Sequence, residues 1–374
     1  MIKTTHDDRR SFLKAGAAVG TAVLAGASQA SAEDGDGFDR LITQGDIAIL
    51  QFLAAVELIE TDLWTQYAEL GGVQDSEIPG LPTGGSALYT AALNNLDADM
   101  SQYIHDNTED EISHETFLNA YLASKGASVV NLDEFRTLPS SRATGARQIG
   151  RLTNLMQLTV DTSWYTRYRS RANNPDLDAS FTFPQAVPSL SSGRFPAIPR
   201  TDADLTPQGH IQAIANTAAF HFCFVEQGGS SLYPTLALNV THPEVLRVLL
   251  SIGPTETSHF QTWHDKAGNA VSDPLAPLTD PSNPQLVFPN LNVPPFGGED
   301  FQTNLIMPEP CPFLSRSLPA CSIIRPTSLQ QGGAVATIKA FAADGLFIGQ
   351  SERFITLLIF LAQRADSARR GSGD

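Results

Sequence analysis

Two four-residue motifs constrain this chain more than any other feature: Glu111-Ile112-Ser113-His114 and Glu256-Thr257-Ser258-His259. Each lies in a stretch with helical periodicity. Positions i and i+3 of a helix share a face, so each motif aims one carboxylate and one imidazole at a common point. With 15 Glu and 8 His in 374 residues, chance predicts about 0.3 such motifs, and the chain has two.

Two further helical stretches each carry a carboxylate among apolar residues. The stretch over 42–70 holds Glu57 and Glu60 within Ala54-Ala55-Val56-Glu57-Leu58-Ile59-Glu60. It is apolar nearly all round, at Ile47, Ile49, Leu50, Phe52, Leu53 and Val56, which marks a buried helix. The stretch over 207–239 holds Glu226, next to Val225 and one turn after Phe222. An ionised Glu among apolar neighbours is costly to bury, and a metal ion supplies the compensating charge.

The pattern predicts four long helices, over 42–70, 88–125, 207–239 and 242–266. A further helix is expected over 146–171, carrying Leu152, Leu155, Leu158 and Trp164. Pro79-Gly80-Leu81-Pro82-Thr83-Gly84-Gly85 reads as the loop between the first two, and residues 173–206 as an irregular crossover. Thr206-Pro207 reads as an N-cap and first-turn proline, Thr241-His242-Pro243-Glu244 as a capping box, and Gly253-Pro254 as a kink. Glu57 and Glu111 are equidistant from residue 84, and Glu226 and Glu256 from residue 241. In antiparallel hairpins turning at those points, each pair would lie level. Residues 268–326 are dense in Pro and Asn, and a helical pair at 333–343 and 350–369 closes the chain.

The N-terminus reads Asp8-Arg9-Arg10-Ser11-Phe12-Leu13-Lys14, then an Ala/Gly/Val-rich stretch, then Ala30-Ser31-Ala32. This order of charged, apolar and small-residue segments resembles a twin-arginine export signal. The expected organisation is an export signal over 1–32, a helical bundle over 33–268, and a Pro-rich extension with C-terminal helices over 269–374. The mature protein would then be periplasmic or extracellular. An apolar fraction of 42% with 17% charged residues excludes whole-chain disorder. A net charge of −16 disfavours nucleic acid as a partner. Three cysteines are too few for a four-thiolate metal site. Cys311 and Cys321 are placed for a disulfide in an exported protein, and Cys223 for a buried apolar role. Outside the N-terminus no apolar stretch is long enough to span a membrane.

One Glu from each of two helices, plus Glu-x-x-His from each of two others, is the ligand set of ferritin-like di-iron and di-manganese proteins. The order here, Glu, Glu-x-x-His, long crossover, Glu, Glu-x-x-His, is theirs. The chain resembles the ferritin-like superfamily, and most of all its desiccation-related and stress-response branch. Val56-Glu57-Leu58-Ile59-Glu60-Thr61-Asp62-Leu63-Trp64 and Glu226-Gln227-Gly228-Gly229-Ser230-Ser231-Leu232-Tyr233 are similar to that branch's signatures. The resemblance implies an all-α fold: a ferritin-like four-helix bundle with a long crossover, plus the extra helix and the Pro-rich extension.

It implies metal ligands Glu57, Glu111, His114, Glu226, Glu256 and His259, with Glu60 an alternative to Glu57. An aromatic residue stands seven positions after each candidate helix ligand: Trp64 after Glu57, Tyr67 after Glu60 and Tyr233 after Glu226. Glu109, Asp110 and Glu115 read as surface charge. His105, His210, His221, His242 and His264 read as core histidines, and Trp64, Trp164 and Trp263 as packing. An oxygen-rich ligand set suits two Fe or Mn ions. The implied activity is an oxidoreductase acting on Fe(II), peroxide or O2, in a chain that admits a homo-oligomer. The alternative of another class is a non-catalytic, stress-associated bundle.

Overall fold

The computed structural model describes residues 42–73, 78, 80–167, 182–294, 307–309, 317, 321–323 and 332–371. The export signal expected over 1–32 lies outside them. So does Cys311, and Cys321 is described only in its backbone. The described residues from Ile42 onward belong to one unit, Leu41–Asp374.

Helix α1 (Gln44–Gly71) starts at a capping box of Thr43 and Asp46. The Thr43 hydroxyl accepts from the Asp46 amide at 3.0 Å, and the Asp46 carboxylate accepts from the Thr43 amide at 3.1 Å. Its apolar residues are buried on all sides, as the sequence pattern predicts. The expected helix over 88–125 is two: α2 (Ala87–Leu96) and α3 (Met100–Ser124). The break falls where the Asp97 carboxylate accepts from the Asp99 amide at 2.9 Å and pairs with Lys266 at 2.7 Å. Such a local side-chain bond competes with the helix for the backbone. The first hairpin is therefore not a symmetric loop about residue 84, since α2 is folded into its turn.

The expected helix over 146–171 is not formed. Residues 146–162 run irregularly, and only the short α4 (Ser163–Arg167) is helical among the described residues of that stretch. Their amides are claimed by distant acceptors. Asp62 accepts from Leu152 and Thr153 at 3.0 Å each, and Glu69 accepts from Arg147 at 3.0 Å. Isolated bridges join Leu138 to Arg151 and Leu158 to Phe195. The Leu spacing that reads as a helix face instead buries Leu152, Leu155 and Leu158 from an extended backbone.

Helices α5 (Gln208–Ala237) and α6 (Pro243–Ala267) form the second hairpin, turning near residue 241 as expected. Two caps differ from expectation. Pro207 rather than Thr206 is the N-cap of α5. His242 caps α6, its Nδ1 accepting from the Glu244 amide at 3.2 Å. The Thr241 amide is engaged elsewhere, by Asp46 Oδ1 at 2.8 Å, which ties this turn to the start of α1. Helix α6 continues through Pro254. Helices α1 and α3 pair, α5 and α6 pair, and α2 packs on α5.

Beyond α6 come a 3-10 turn at Gly268–Val271, a hairpin of β1 (Leu278–Thr279) and β2 (Val287–Phe288), and an antiparallel pair of β3 (Met307–Glu309) and β4 (Cys321–Ile323). Helices α7 (Ala334–Asp344) and α8 (Glu352–Ser367) close the chain. Helix α8 lies on α1, where Arg364 donates to Gln51 at 3.0 Å. Among the described residues no helix is long and apolar enough to cross a membrane. The protein is an all-α bundle with a long crossover and minor strand content.

Candidate metal centre

The Glu-x-x-His motifs lie in the middle of α3 and in the second half of α6, facing Glu57 on α1 and Glu226 on α5. Six side chains form two overlapping groups. Glu57, Glu111, His114 and Glu256 make one; Glu111, Glu226, Glu256 and His259 make the other. Within each, one ligand atom per residue lies within 4.8 Å of all the others. Glu111 and Glu256 belong to both groups, while Glu57 with His114 and Glu226 with His259 belong to one each. All six residues are buried or nearly so.

Both imidazoles aim Nδ1 inward. His114 Nδ1 lies 3.2 Å from Glu111 and from Glu256, and 3.5 Å from Glu57. His259 Nδ1 lies 3.2 Å from Glu226 and 3.3 Å from Glu111. Glu57 Oε2 and both oxygens of Glu256 are buried without an aligned hydrogen-bond donor. No lysine or arginine among the described residues pairs with any of the four carboxylates. Orphaned carboxylate oxygens converging on a shared point fit a pair of hard cations, because a cation both satisfies their lone pairs and offsets their charge.

With no cation present, protons must do that work. Burial, then the charge of Glu226, pushes the Glu111 carboxyl up to about 7. Burial and the neighbouring charge of Glu111 hold Glu256 well above the carboxylate range. Burial also opposes the charge on Glu57, but the adjacent His114 reverses the balance and lowers it. Burial opposes protonation of His114 and His259 too, yet the carboxylates around each raise them far above the ordinary imidazole range.

Glu60 is buried on the same face of α1 but joins neither group. Burial and then the charges of Glu111 and Glu256 push it well above the carboxylate range.

Four supporting residues were not legible as such in the sequence. Trp64, read as packing, donates its indole N–H to Glu226 Oε1 at 3.0 Å. The Tyr233 hydroxyl donates to Glu57 Oε1. The aromatic seven positions after Glu57 thus holds Glu226, and the one seven positions after Glu226 holds Glu57. Asn107, one turn before Glu111, donates to Glu111 Oε1 at 2.8 Å and to Glu226 Oε1 at 3.1 Å. Its own carbonyl accepts from the Trp263 indole at 2.7 Å. Asp110, read as surface charge, faces His259 Nε2 at 3.0 Å, the outward nitrogen of that ring. These contacts fix carboxylate and imidazole orientation, as outer partners do in metal sites. The seven-residue aromatic spacing and the position of Asn107 at i−4 from Glu111 were the available signals.

The remaining histidines are engaged away from the centre. His210 lies 2.8 Å from Asp280, His105 lies 3.1 Å from Glu109, and His221 lies between Tyr67 and Asp344. His242 caps α6. His264 packs among Trp164, Tyr165 and Phe260. Cys223 is buried with its thiol 3.9 Å from the Phe260 carbonyl.

No curated protein and no solved structure matches the chain. The family model described as "Ferritin-like domain" matches residues 45–268, which span α1 to α6 and hold all six converging side chains. The chain belongs to the ferritin-like family.

Proposed function

We propose that this protein is a di-metal carboxylate oxidoreductase, binding two Fe or Mn ions and acting on Fe(II), peroxide or O2. The observation that carries the reading is the overlap of the two groups through Glu111 and Glu256. Glu111 and Glu256, common to both groups, would be shared by two ions held as neighbours. Glu57 and His114 would complete one position, Glu226 and His259 the other. Such a pair of ions supplies electrons two at a time, which matches peroxide or O2 as oxidant.

The chain's own residues supply orientation and exclusion of water. Trp64 and Asn107 hold Glu226, Asn107 holds Glu111, and Tyr233 holds Glu57. Trp64, which holds Glu226, stacks on Phe222 and Trp263, and all three rings are buried. The Arg9-Arg10 motif and the Ala30-Ser31-Ala32 site support export through the twin-arginine route. The Glu57 to Trp64 and Glu226 to Tyr233 signatures support a place in the desiccation-related branch and a role in stress protection.

Elemental analysis of the purified protein tests the reading, in wild type and in Glu111→Ala/His259→Ala. The expected result is about two Fe or Mn per chain, lost in the double variant, since each ion would lose at least one ligand. A wild-type protein that takes up no metal after anaerobic Fe(II) loading would leave a non-catalytic bundle.

A further inference from the structure

Away from the carboxylate centre, the crossover encloses a pocket of about 650 Å³. Its frame is a loop closed by the bridge between Leu138 and Arg151. Within the loop the Ser140 hydroxyl donates to the Ile149 carbonyl at 2.8 Å, and the Gln148 side-chain amide donates to the Ser141 carbonyl at 2.7 Å. Three residues then fix the loop to the segment that precedes α5. The Ser141 hydroxyl donates to the Pro199 carbonyl at 2.5 Å, and the Arg142 amide donates to the Arg200 carbonyl at 2.9 Å. The amide and hydroxyl of Thr144 both donate to Asp202, at 2.7 Å each. These bonds bring Arg142 and Arg200, far apart in sequence, to the lining of one pocket.

The two arginines are not equivalent. Arg200 donates through Nε and Nη2 to Asp204, at 2.8 Å each, so its charge is offset within the protein. Arg142 is exposed, and its guanidinium has no hydrogen-bond or carboxylate partner among the described residues. No acidic side chain among the described residues lines the pocket. The pocket therefore holds one uncompensated cation, in a chain whose net charge is −16. Beside it stand apolar side chains: Leu138, which is buried, Met156, which is half-buried, and Ile149, which is 42% exposed. The volume is that of a small-molecule site, where apolar walls combine with a few placed polar groups. A lone guanidinium fork matches a carboxylate in both shape and charge. A phosphate monoester, close to doubly charged at neutral pH, would exceed the one free cation.

We propose that this pocket binds a small amphiphilic monocarboxylate, with its head on Arg142 and its apolar chain against Leu138, Ile149 and Met156. Arg200, whose Nη1 stands outside the pair with Asp204, offers a further donor. The site shares no residue with the two groups of the carboxylate centre, so it stands whether or not they hold metal.

Isothermal titration of the full chain with octanoate tests this. Wild type should show a single saturable site. Arg142→Gln should weaken it on the order of 10–100-fold, because a charge-assisted pair is lost. Ile149→Ser should weaken it about threefold through lost apolar contact. Arg147→Gln, on the same loop but outside the pocket lining, should leave it unchanged. Octanol keeps the chain without the charge and acetate the charge without the chain, so each should bind at least about tenfold more weakly than octanoate. The Arg142 side chain holds nothing in the fold, and unchanged circular dichroism and melting in Arg142→Gln would separate lost binding from lost structure. A folded wild type with no saturable octanoate binding would overturn the proposal. So would octanoate binding that is unchanged in Arg142→Gln, or weakened equally in Arg147→Gln. Tighter binding of octyl phosphate than of octanoate would overturn the assignment to a monocarboxylate.

Discussion

Two adjacent glycines on α5 separate the chemistry of the centre from the stability of its helix. A methyl group at Gly229 would fall 3.1 Å from Glu256 Cδ and closer still to its Oε2. A methyl at Gly228 would meet nothing within 4 Å. Gly to Ala inside a helix is worth up to about 1 kcal/mol in favour of the fold. Gly228→Ala should gain that and leave metal uptake alone. In Gly229→Ala the same gain is offset by an overpacking penalty of about 1–3 kcal/mol unless the Glu256 carboxylate retreats by roughly 1 Å. The carboxylate end of the side chain is the softest element in contact, so it moves. Because Glu256 belongs to both groups, its retreat weakens both ions together. An expected loss on the order of 10–100-fold in affinity for each is about 1.4–2.7 kcal/mol per ion. Isothermal titration with Fe(II) or Mn(II) under anaerobic conditions, beside thermal unfolding of the metal-free forms, measures both quantities. A Gly229→Ala protein that still binds two ions per chain at wild-type affinity would refute the assignment of Glu256 as the shared carboxylate.

Other perturbations address the supports and the protons. Asn107→Leu removes the amide that holds Glu111 and Glu226 and should weaken metal binding on the order of 10–100-fold with the helices intact, read by the same titration. Arg151→Ala strands Glu69, its partner at 2.6 Å in a site where neither side chain is more than 2% exposed. Chemical denaturation should show a loss of about 3–5 kcal/mol, and a loss under 1 kcal/mol would contradict the buried-pair reading. Glu111, pushed up to about 7 by burial and then by Glu226, holds a proton in the folded chain that the unfolded chain releases near 4.5. Its contribution to the metal-free fold is therefore whole below about 4.5 and lost as the pH rises through about 7. Metal uptake must displace that proton, so affinity should fall as the pH drops below about 7. Unfolding curves with and without metal should diverge as the pH rises from 5 to 8, and parallel curves would contradict the assignment.

The convergence of these side chains was legible because its geometry is local. Glu111 with His114, and Glu256 with His259, share a face by helix periodicity alone, whatever packs against them. The same periodicity leaves Glu57 and Glu60 unresolved, since residues three apart lie on one face. The structure separates them by reach: Glu57 closes on His114, and Glu60 stops short of both groups. The crossover failed for the converse reason. Leu152, Leu155 and Leu158 have helical spacing, but the acceptors that claim the amides around them, Asp62 and Glu69, belong to a helix far away in sequence. The split of the expected second helix turned on Asp97, whose side chain bonds its own backbone two residues on. Trp64 and Tyr233 were visible as spaced aromatics, but their exchange of partners across the bundle is a tertiary fact. No local pattern encodes which carboxylate each would hold.

Helix α1 buries five acidic residues, and the partners of each separate structural from functional carboxylates. Asp46 caps the helix and binds the amides of Thr241 and His242. Asp62 accepts from two backbone amides, the Thr153 hydroxyl and Arg136; Glu69 accepts from Arg151 and the Arg147 amide. Each of these three meets several donors. Glu57 and Glu60, between them in sequence and equally buried, meet no arginine, no lysine and no backbone amide among the described residues. Glu57 has one phenol and a shared imidazole; Glu60 is pushed well above the carboxylate range by burial and then by neighbouring carboxylates. The chain thus spends its cations and amides on the acids facing the crossover and withholds them from those facing α3, α5 and α6. Buried acids given no lysine or arginine are left to the two imidazoles, to protons or to a metal, and four such acids converge with those imidazoles in the two groups that share Glu111 and Glu256.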